Sequence, residues 1–321
     1  MKRHTVAALA ASALAVGSVV VAAPAANADL VTYCVGTGGA VTVPGDLFVP
    51  PGESCELDGT TVTGNVRVAA GASLVVQGGT FQRDVQIAAD GYYDATSTAV
   101  TGQITLAAGG FGIFMQDGGA ASVTVAPKGT ATTEGFLFLN HVTVNGNVAS
   151  SVGDVLIDEG TQITGNLSSD GAFYTDLRDS FVDGTLSVSN NATGSVVCGS
   201  AVQGTSTFTG NQGGVQLGPN GALSGCATGG YFGRDVSIGN TSGPVRVDDN
   251  IINGKLMLSG NNPVATVADN NRIRGGITGD HQAPSASLAK TAQKSRVTHE
   301  QHAKLRKDQA SKAAEAAGKA F

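Results

Sequence analysis

The chain has no tryptophan, only five tyrosines and eleven phenylalanines among 321 residues, and charged side chains make up just 14% of it. So few aromatic rings leave little to stack against sugars, which weighs against a polysaccharide cleft. With an acidic body, the same shortage argues against a nucleic-acid partner. Beyond Ala23 no stretch approaches the roughly 18 apolar residues that a membrane-spanning helix needs. No Cys-x-x-Cys or Cys/His cluster suggests metal or redox chemistry, and His299 with His302 is too little to bind a metal. A Gly-x-Ser-x-Gly elbow, a His-Glu-x-x-His pair and a Gly-x-x-x-x-Gly-Lys phosphate loop are all missing. The residues imply no cofactor.

What the chain does have is glycine, 46 of them, many set in one short pattern: apolar, polar, Gly, polar, apolar. It reads Val62-Thr63-Gly64-Asn65-Val66, Val100-Thr101-Gly102-Gln103-Ile104, Val144-Asn145-Gly146-Asn147-Val148 and Ile163-Thr164-Gly165-Asn166-Leu167. Copies centred on Gly184, Gly204, Gly254 and Gly275 follow, and Arg83 and Arg234 fill the glycine slot in two more. The steps between centres are 19, 19, 44, 19, 19, 20, 30, 20 and 21 residues. A period near 20 is the mark of a solenoid, in which each repeat stacks on its neighbours. The 44-residue step fits two coils of 22, the hidden one near Ser122–Val125, and the 30-residue step fits a coil with an insertion near Gly225–Gly230.

Within each copy the alternation of apolar and polar residues is that of strands. Glycine suits a sharp corner because φ > 0 strains a residue with a Cβ. The pattern therefore predicts an all-β chain: a single-stranded parallel β-helix of about eleven coils over residues 29–282, right-handed by the usual crossover bias. A β-sandwich is disfavoured, since its strands would recur every 8–12 residues.

The ends differ from the body. Residues 1–28 read as a signal peptide: Lys2-Arg3-His4, an apolar run from Val6 to Ala23, and the small-x-small site Ala26-Asn27-Ala28. Export permits disulfides. Cys34 and Cys55 are 21 residues apart, one coil, and Cys198 and Cys226 bracket the expected insertion. Of three connectivities, pairing in sequence order is expected, the alternative being one pair left free and buried. Residues 283–321 form a basic Ala/Lys-rich tail of net charge +5; without it and the two charges of the leader, the total of −6 becomes about −13 for the body. The tail has good helix propensity and is expected to be helical or disordered. It has three readings: a solvated extension, a tether to an anionic surface, or a segment folded back on the acidic body. It is also the only material available to cover the C-terminal end of the rod.

The stretch Cys55-Glu56-Leu57-Asp58-Gly59-Thr60-Thr61-Val62-Thr63-Gly64-Asn65-Val66 and the closing Asn250-Ile251-Ile252-Asn253-Gly254-Lys255-Leu256 resemble β-helical repeat proteins secreted by actinobacteria. The resemblance covers roughly Pro44 to Gly279 and implies a fold and an extracellular location, not an activity. Members often end in a cysteine after the final glycine coil; Gly276-Ile277-Thr278-Gly279-Asp280 has none.

The best candidate for chemistry is an acidic grouping of Asp154, Asp158, Glu159, Asp170, Asp176, Asp179 and Asp183 with Arg178 among them. A polysaccharide lyase or hydrolase would draw its acid and base from Asp176, Asp179 and Asp183, with Arg178 beside them, because general acid–base work needs two carboxylates on one substrate atom. The plainer reading is solvated loop acids that keep a sheet surface soluble. The slots beside the glycines form rows of Thr, Asn, Gln and Asp without a carboxylate pair. They point to a non-enzymatic, exported structural or surface-interaction module facing cell-wall polymer or another copy of itself.

Overall fold

A computed structural model describes residues 30–132, 134–151, 153–284 and 294–321, with side chains from residue 300 onward in the last stretch. The signal peptide expected over residues 1–28 lies outside the described residues. The body is a parallel β-solenoid of about twelve turns bounded by three sheets. The first sheet runs from Val31–Tyr33 to Ile277–Thr278 and the second from Gly36–Gly38 to His281–Gln282, each with 13 strands. The third runs from Thr42–Val43 to Arg272–Ile273 with 12. Every pairing is parallel and joins residues one coil apart, as in Val66 with Val85 and Val85 with Ile104.

The column has one more member than the pattern search finds. Val43-Pro44-Gly45-Asp46-Leu47 stacks under Val62–Val66, and Pro44 in a polar slot hides it. The 44-residue step divides unevenly. Gln103 pairs with Ser122 and Val123 with Val148, so Ala121 occupies the glycine slot and the steps are 19 and 25 rather than 22 and 22. The insertion in the later coil lies between Val215–Leu217 and Tyr231–Phe232, as the spacing indicates.

Glycine is needed in the column for a different reason from the one expected. None of Gly64, Gly102, Gly146, Gly165, Gly184, Gly204, Gly254 and Gly275 has a positive φ. These corners instead touch one another: Gly165 N–H donates to the Gly146 carbonyl at 3.0 Å and Gly184 N–H to the Gly165 carbonyl at 3.0 Å. A Cβ on Gly165 would lie 2.5 Å from both Asn147 Oδ1 and the Gly146 carbonyl carbon. Among the described residues only Gly45 (82°) and Gly276 (78°) are left-handed at this corner, and the other left-handed residues of the rod sit at the other two. Asp90 (52°), Asn190 (58°) and Asn240 (53°) turn the chain from the first sheet to the second. Ser97 (50°), Asp117 (52°) and Asp179 (42°) turn it from the second to the third. Short polar side chains tolerate that conformation by bonding locally.

Stacking also explains the polar row that follows each column glycine. Asp46, Asp84, Asn147, Asn166 and Asp235 each accept, through Oδ1, the backbone N–H one coil further on, at 2.7–2.9 Å. Half of the row read as a regular outward array thus staples corner to corner. Inside, Leu47, Val66, Ile104, Leu167, Val236 and Leu256 are fully buried in a continuous core. Some polar groups inside pair with one another: Asn191 Nδ2 donates to Thr175 Oγ1 at 2.8 Å, and Ser169 Oγ lies 2.7 Å from the same hydroxyl.

The tail is a helix, Lys294–Ala317, and it does not cover the C-terminal end of the rod. It folds back along the outer face of the second sheet toward the N-terminal end, the third of the readings open from sequence. From Glu300, beside Leu156, to Gly318, bonded to Thr37, the chain crosses six coil steps. Roughly 27 Å of helix at 1.5 Å per residue matches six steps of about 4.8 Å.

Replacing Gly165 by Ala is expected to cost about 1–3 kcal/mol, the range for overpacking a close contact, whereas Arg83→Gly, at an exposed slot, leaves stability nearly unchanged. Thermal unfolding of the two variants checks both, and equal melting temperatures would contradict the close-approach account.

Candidate functional site

Three outward faces are available, and they differ. That of the second sheet is unusually apolar: Tyr92, Phe136, Phe138, Leu156, Tyr174 and Val196 point away from the core yet are buried. Two elements cover them. The helix lies over the earlier coils, and the insertion of residues 218–230 lies over the later ones.

The helix is held by charge. Lys307 Nζ donates to Asp94 Oδ1 at 2.8 Å, and the Tyr92 hydroxyl gives its single proton to Asp94 Oδ2 at 2.6 Å. Arg306 donates to Ser73 Oγ at 3.1 Å and to the carbonyls of Gly71 and Asp90, both at 3.0 Å. Its guanidinium lies 5.0 Å from the Phe111 ring centroid, a cation–π contact. Small residues let the helix sit close: Ala303, Ala310 and Ala314 are all buried. Asp94 is 2% exposed, and Lys307 and Tyr92 give each of its two carboxyl oxygens a partner, as a buried polar group requires.

The insertion is held by the Cys198–Cys226 disulfide, with Cα atoms 5.7 Å apart, and by the buried amide of Gln216, which accepts from Leu223 and Ser224 N–H at 3.0 and 3.1 Å. Cys34 and Cys55 form the other disulfide, 5.5 Å between Cα atoms, on adjacent coils. Pairing follows sequence order, as expected.

The acidic grouping proposed from sequence is spread around the rod. Asp176 and Arg178 stand two apart on strand Tyr174–Arg178, and Arg178 Nε donates to Asp176 Oδ2 at 2.8 Å. Arg178 also donates to the Gly225 carbonyl at 2.6 Å and to Ser224, so this pair anchors the insertion. Asp154 and Asp158 lie one coil below on the same sheet, buried. Asp179 is an exposed left-handed corner, and Asp183 is exposed at the next corner, beside Gly184. Asp170 is on the first sheet, where hydrogen bonds from Ser189 and Asn190, at 2.7 and 2.8 Å, hold its carboxyl below the ordinary range. Among the described residues no group of three or more His, Cys, Asp and Glu could hold a metal ion.

Asp94, Lys307 and Arg306 are the residues that pattern reading passes over. The signal for them is Phe136-Leu137-Phe138-Leu139 and Leu74-Val75-Val76, unbroken apolar runs that mark strands buried on both faces. Beside the helix a groove of about 510 Å³ remains, lined by Phe114, Phe138, Leu156, Gln116, Asn140 and Lys304 among others.

Among the described residues no element covers the first sheet in this way. Its outward row runs in register through Thr105, Thr124, Ala149, Ser168, Ser187, Thr207 and Ser237, all partly exposed. Six of these seven carry a hydroxyl, spaced at about 4.8 Å per coil except for the gap at Ala149, and each hydroxyl both donates and accepts. Asp170, Ser189 and Thr209 form a second registered row beside it.

No family model matches this chain, and comparison with curated proteins finds no match. Among solved structures it is similar to the crystal structure of the TibC-catalyzed hyper-glycosylated TibA55-350 fragment, at 16% identity and a TM-score of 0.27, over 81% of this chain and 94% of that one. So low a score says nothing about function. Among the described residues no helix is long and apolar enough to cross a membrane.

Lys307→Met strands the buried Asp94 carboxylate and is expected to cost about 1–3 kcal/mol, with faster hydrogen exchange over residues 300–317. The Asp94→Leu, Lys307→Met double variant should recover part of that loss. At alkaline pH, burial first and the carboxylate of Asp94 second hold the Tyr92 and Tyr93 hydroxyls well above their ordinary 10.0. Burial and Asp176 do the same for Tyr174. Raised folded values mean that stability is full below the unfolded value and falls as pH rises beyond about 10. Phenolate absorbance of these three residues should therefore appear together with loss of the β-sheet circular dichroism signal, not before it.

Proposed function

We propose that the chain is an exported, non-catalytic surface-interaction rod whose first sheet presents a registered hydroxyl face to a polyhydroxylated polymer of the cell envelope. The observation that carries this reading is the contrast between faces. The second sheet is closed by the helix and the insertion, while among the described residues the row from Thr105 to Ser237, hydroxyl-bearing except at Ala149, is left uncovered over six coil steps. A flat array of small hydroxyls matches a partner that itself donates and accepts hydrogen bonds at short intervals. The two disulfides support an oxidising destination, as does the sequence pattern of residues 1–28.

A lyase or hydrolase working between Asp154 and Asp183 has less support. Asp176 is committed to Arg178, Asp179 serves a left-handed corner, and Asp183 lies at a different corner from both. No two of these acids are presented to a common open cleft.

Retention on purified wall polymer tests the proposal. A Thr124→Asp, Ser187→Asp variant should be retained at least fivefold less than the parent, with unchanged melting, and a Lys304→Glu variant on the helix should be retained normally. Equal retention of all three proteins overturns the assigned face. Fractionation of the producing culture tests export: the mature chain, starting at Asp29, is expected in the wall or supernatant, and recovery only from the cytosol would sink the reading.

A further inference from the structure

The two ends of the rod differ in how their strand edges are treated. At the N-terminal end, strand Gly36–Gly38 is already paired on its outer side, by the tail of its own chain. Thr37 N–H donates to the Gly318 carbonyl at 2.8 Å and Ala320 N–H to the Thr37 carbonyl at 2.9 Å, a parallel bridge between Thr37 and Lys319. The seat is shaped for this segment. A Cβ on Gly38 would lie 2.7 Å from the Phe321 ring, and one on Gly36 would strike the Gly318 carbonyl. The neighbouring edges, Val31–Tyr33 and Thr42–Val43, end their sheets, and Val31, Tyr33 and Val41 are 41%, 63% and 45% exposed there.

At the C-terminal end, strands Arg272–Ile273, Ile277–Thr278 and His281–Gln282 close the three sheets, and no described strand pairs with their outer sides. A shallow cavity of about 470 Å³ opens between them, with Val267, Ile273 and Ile277 in its wall.

We propose that these two ends form a head-to-tail interface between copies of this chain, and that residues 318–321 compete with the second copy for the edge of Gly36–Gly38. In such a stack His281–Gln282 of one copy takes the place that Lys319 holds. Ile277–Thr278 meets Val31–Tyr33, and Arg272–Ile273 meets Thr42–Val43, so all three sheets continue in the order every internal coil uses. The parallel bridge of the tail is direct evidence that this edge accepts a strand of that direction. Charge favours the same partner: residues 30–68 carry Asp46, Glu53, Glu56 and Asp58 against Arg67, and residues 254–284 carry Lys255, Arg272 and Arg274 against Asp269 and Asp280. A heterologous contact of this kind does not close on itself, so exposed edges would extend into filaments, and the tail limits that growth.

Sedimentation velocity and negative-stain microscopy of the full chain and of an Ala320→Pro, Phe321→Ala variant test the proposal. The variant lacks the Ala320 donor and the ring seated over Gly38. The full chain should remain a monomer at concentrations where the variant forms rods one molecule wide, lengthening in multiples of a single rod. Adding Ile277→Lys to the variant, at the opposite end, should return it to monomer. Four results would each overturn the idea: a folded variant that stays monomeric at every concentration, a full chain that assembles as readily, assembly that Ile277→Lys leaves unchanged, or assembly that is amorphous.

Discussion

Parallel stacking at a fixed rise is the constraint from which the rest of this protein follows. Each coil lies about 4.8 Å from the next, so any position on the circumference must hold residues that tolerate a copy of themselves directly above and below. At the corner between the third and first sheets a Cβ on most coils would press on the preceding coil's backbone, and glycine recurs in all but Arg83, Ala121 and Arg234. At the other two corners the chain must turn through positive φ, and Gly, Asn, Asp and Ser recur instead. A row of Asp carboxylate and Asn side-chain amide oxygens then uses the same rise to accept from the next coil's backbone. Periodicity in the sequence is the imprint of this stacking.

The solenoid solves its own interior but leaves an apolar strip on the outside of the second sheet. Two unrelated segments cover that strip. One is an insertion fixed by a disulfide and a buried amide; the other is a distant helix fixed by a lysine on a buried aspartate and an arginine across backbone carbonyls. Charged groups that look like chemistry in the sequence are consumed in these attachments, as Arg178 with Asp176 shows most clearly. Among the described residues, the faces of the first and third sheets and the strand edges at the ends of the rod stay open. A binding role is therefore sought on those surfaces.

The architecture was legible in the chain almost entirely. Strand alternation, coil period, the hidden coil, the insertion and the order of the disulfides all follow from local spacing, because in a solenoid each contact is made with the residue one period away. Two details were not: Pro44 concealed the first column member, and the reason for glycine at Gly165 depends on Gly146 and Asn147 lying against it, which no local pattern reveals.

The sequence by itself determined the coil and its period, since these depend on separations of about 19 to 30 residues that repeat locally, and it favoured cysteine pairing in sequence order without fixing it. Only the tertiary structure decided where the tail goes. Lys307 meets Asp94 across 213 positions and Gly318 meets Thr37 across 281, contacts made once and backed by no repeat. The same is true of the acids: Asp176, Asp179 and Asp183 are close in sequence, yet the circumference of one coil parts them, pointing one at the insertion and the others at separate corners. Local periodicity dictates a repeated contact; a contact made once depends on which surfaces the finished fold brings together.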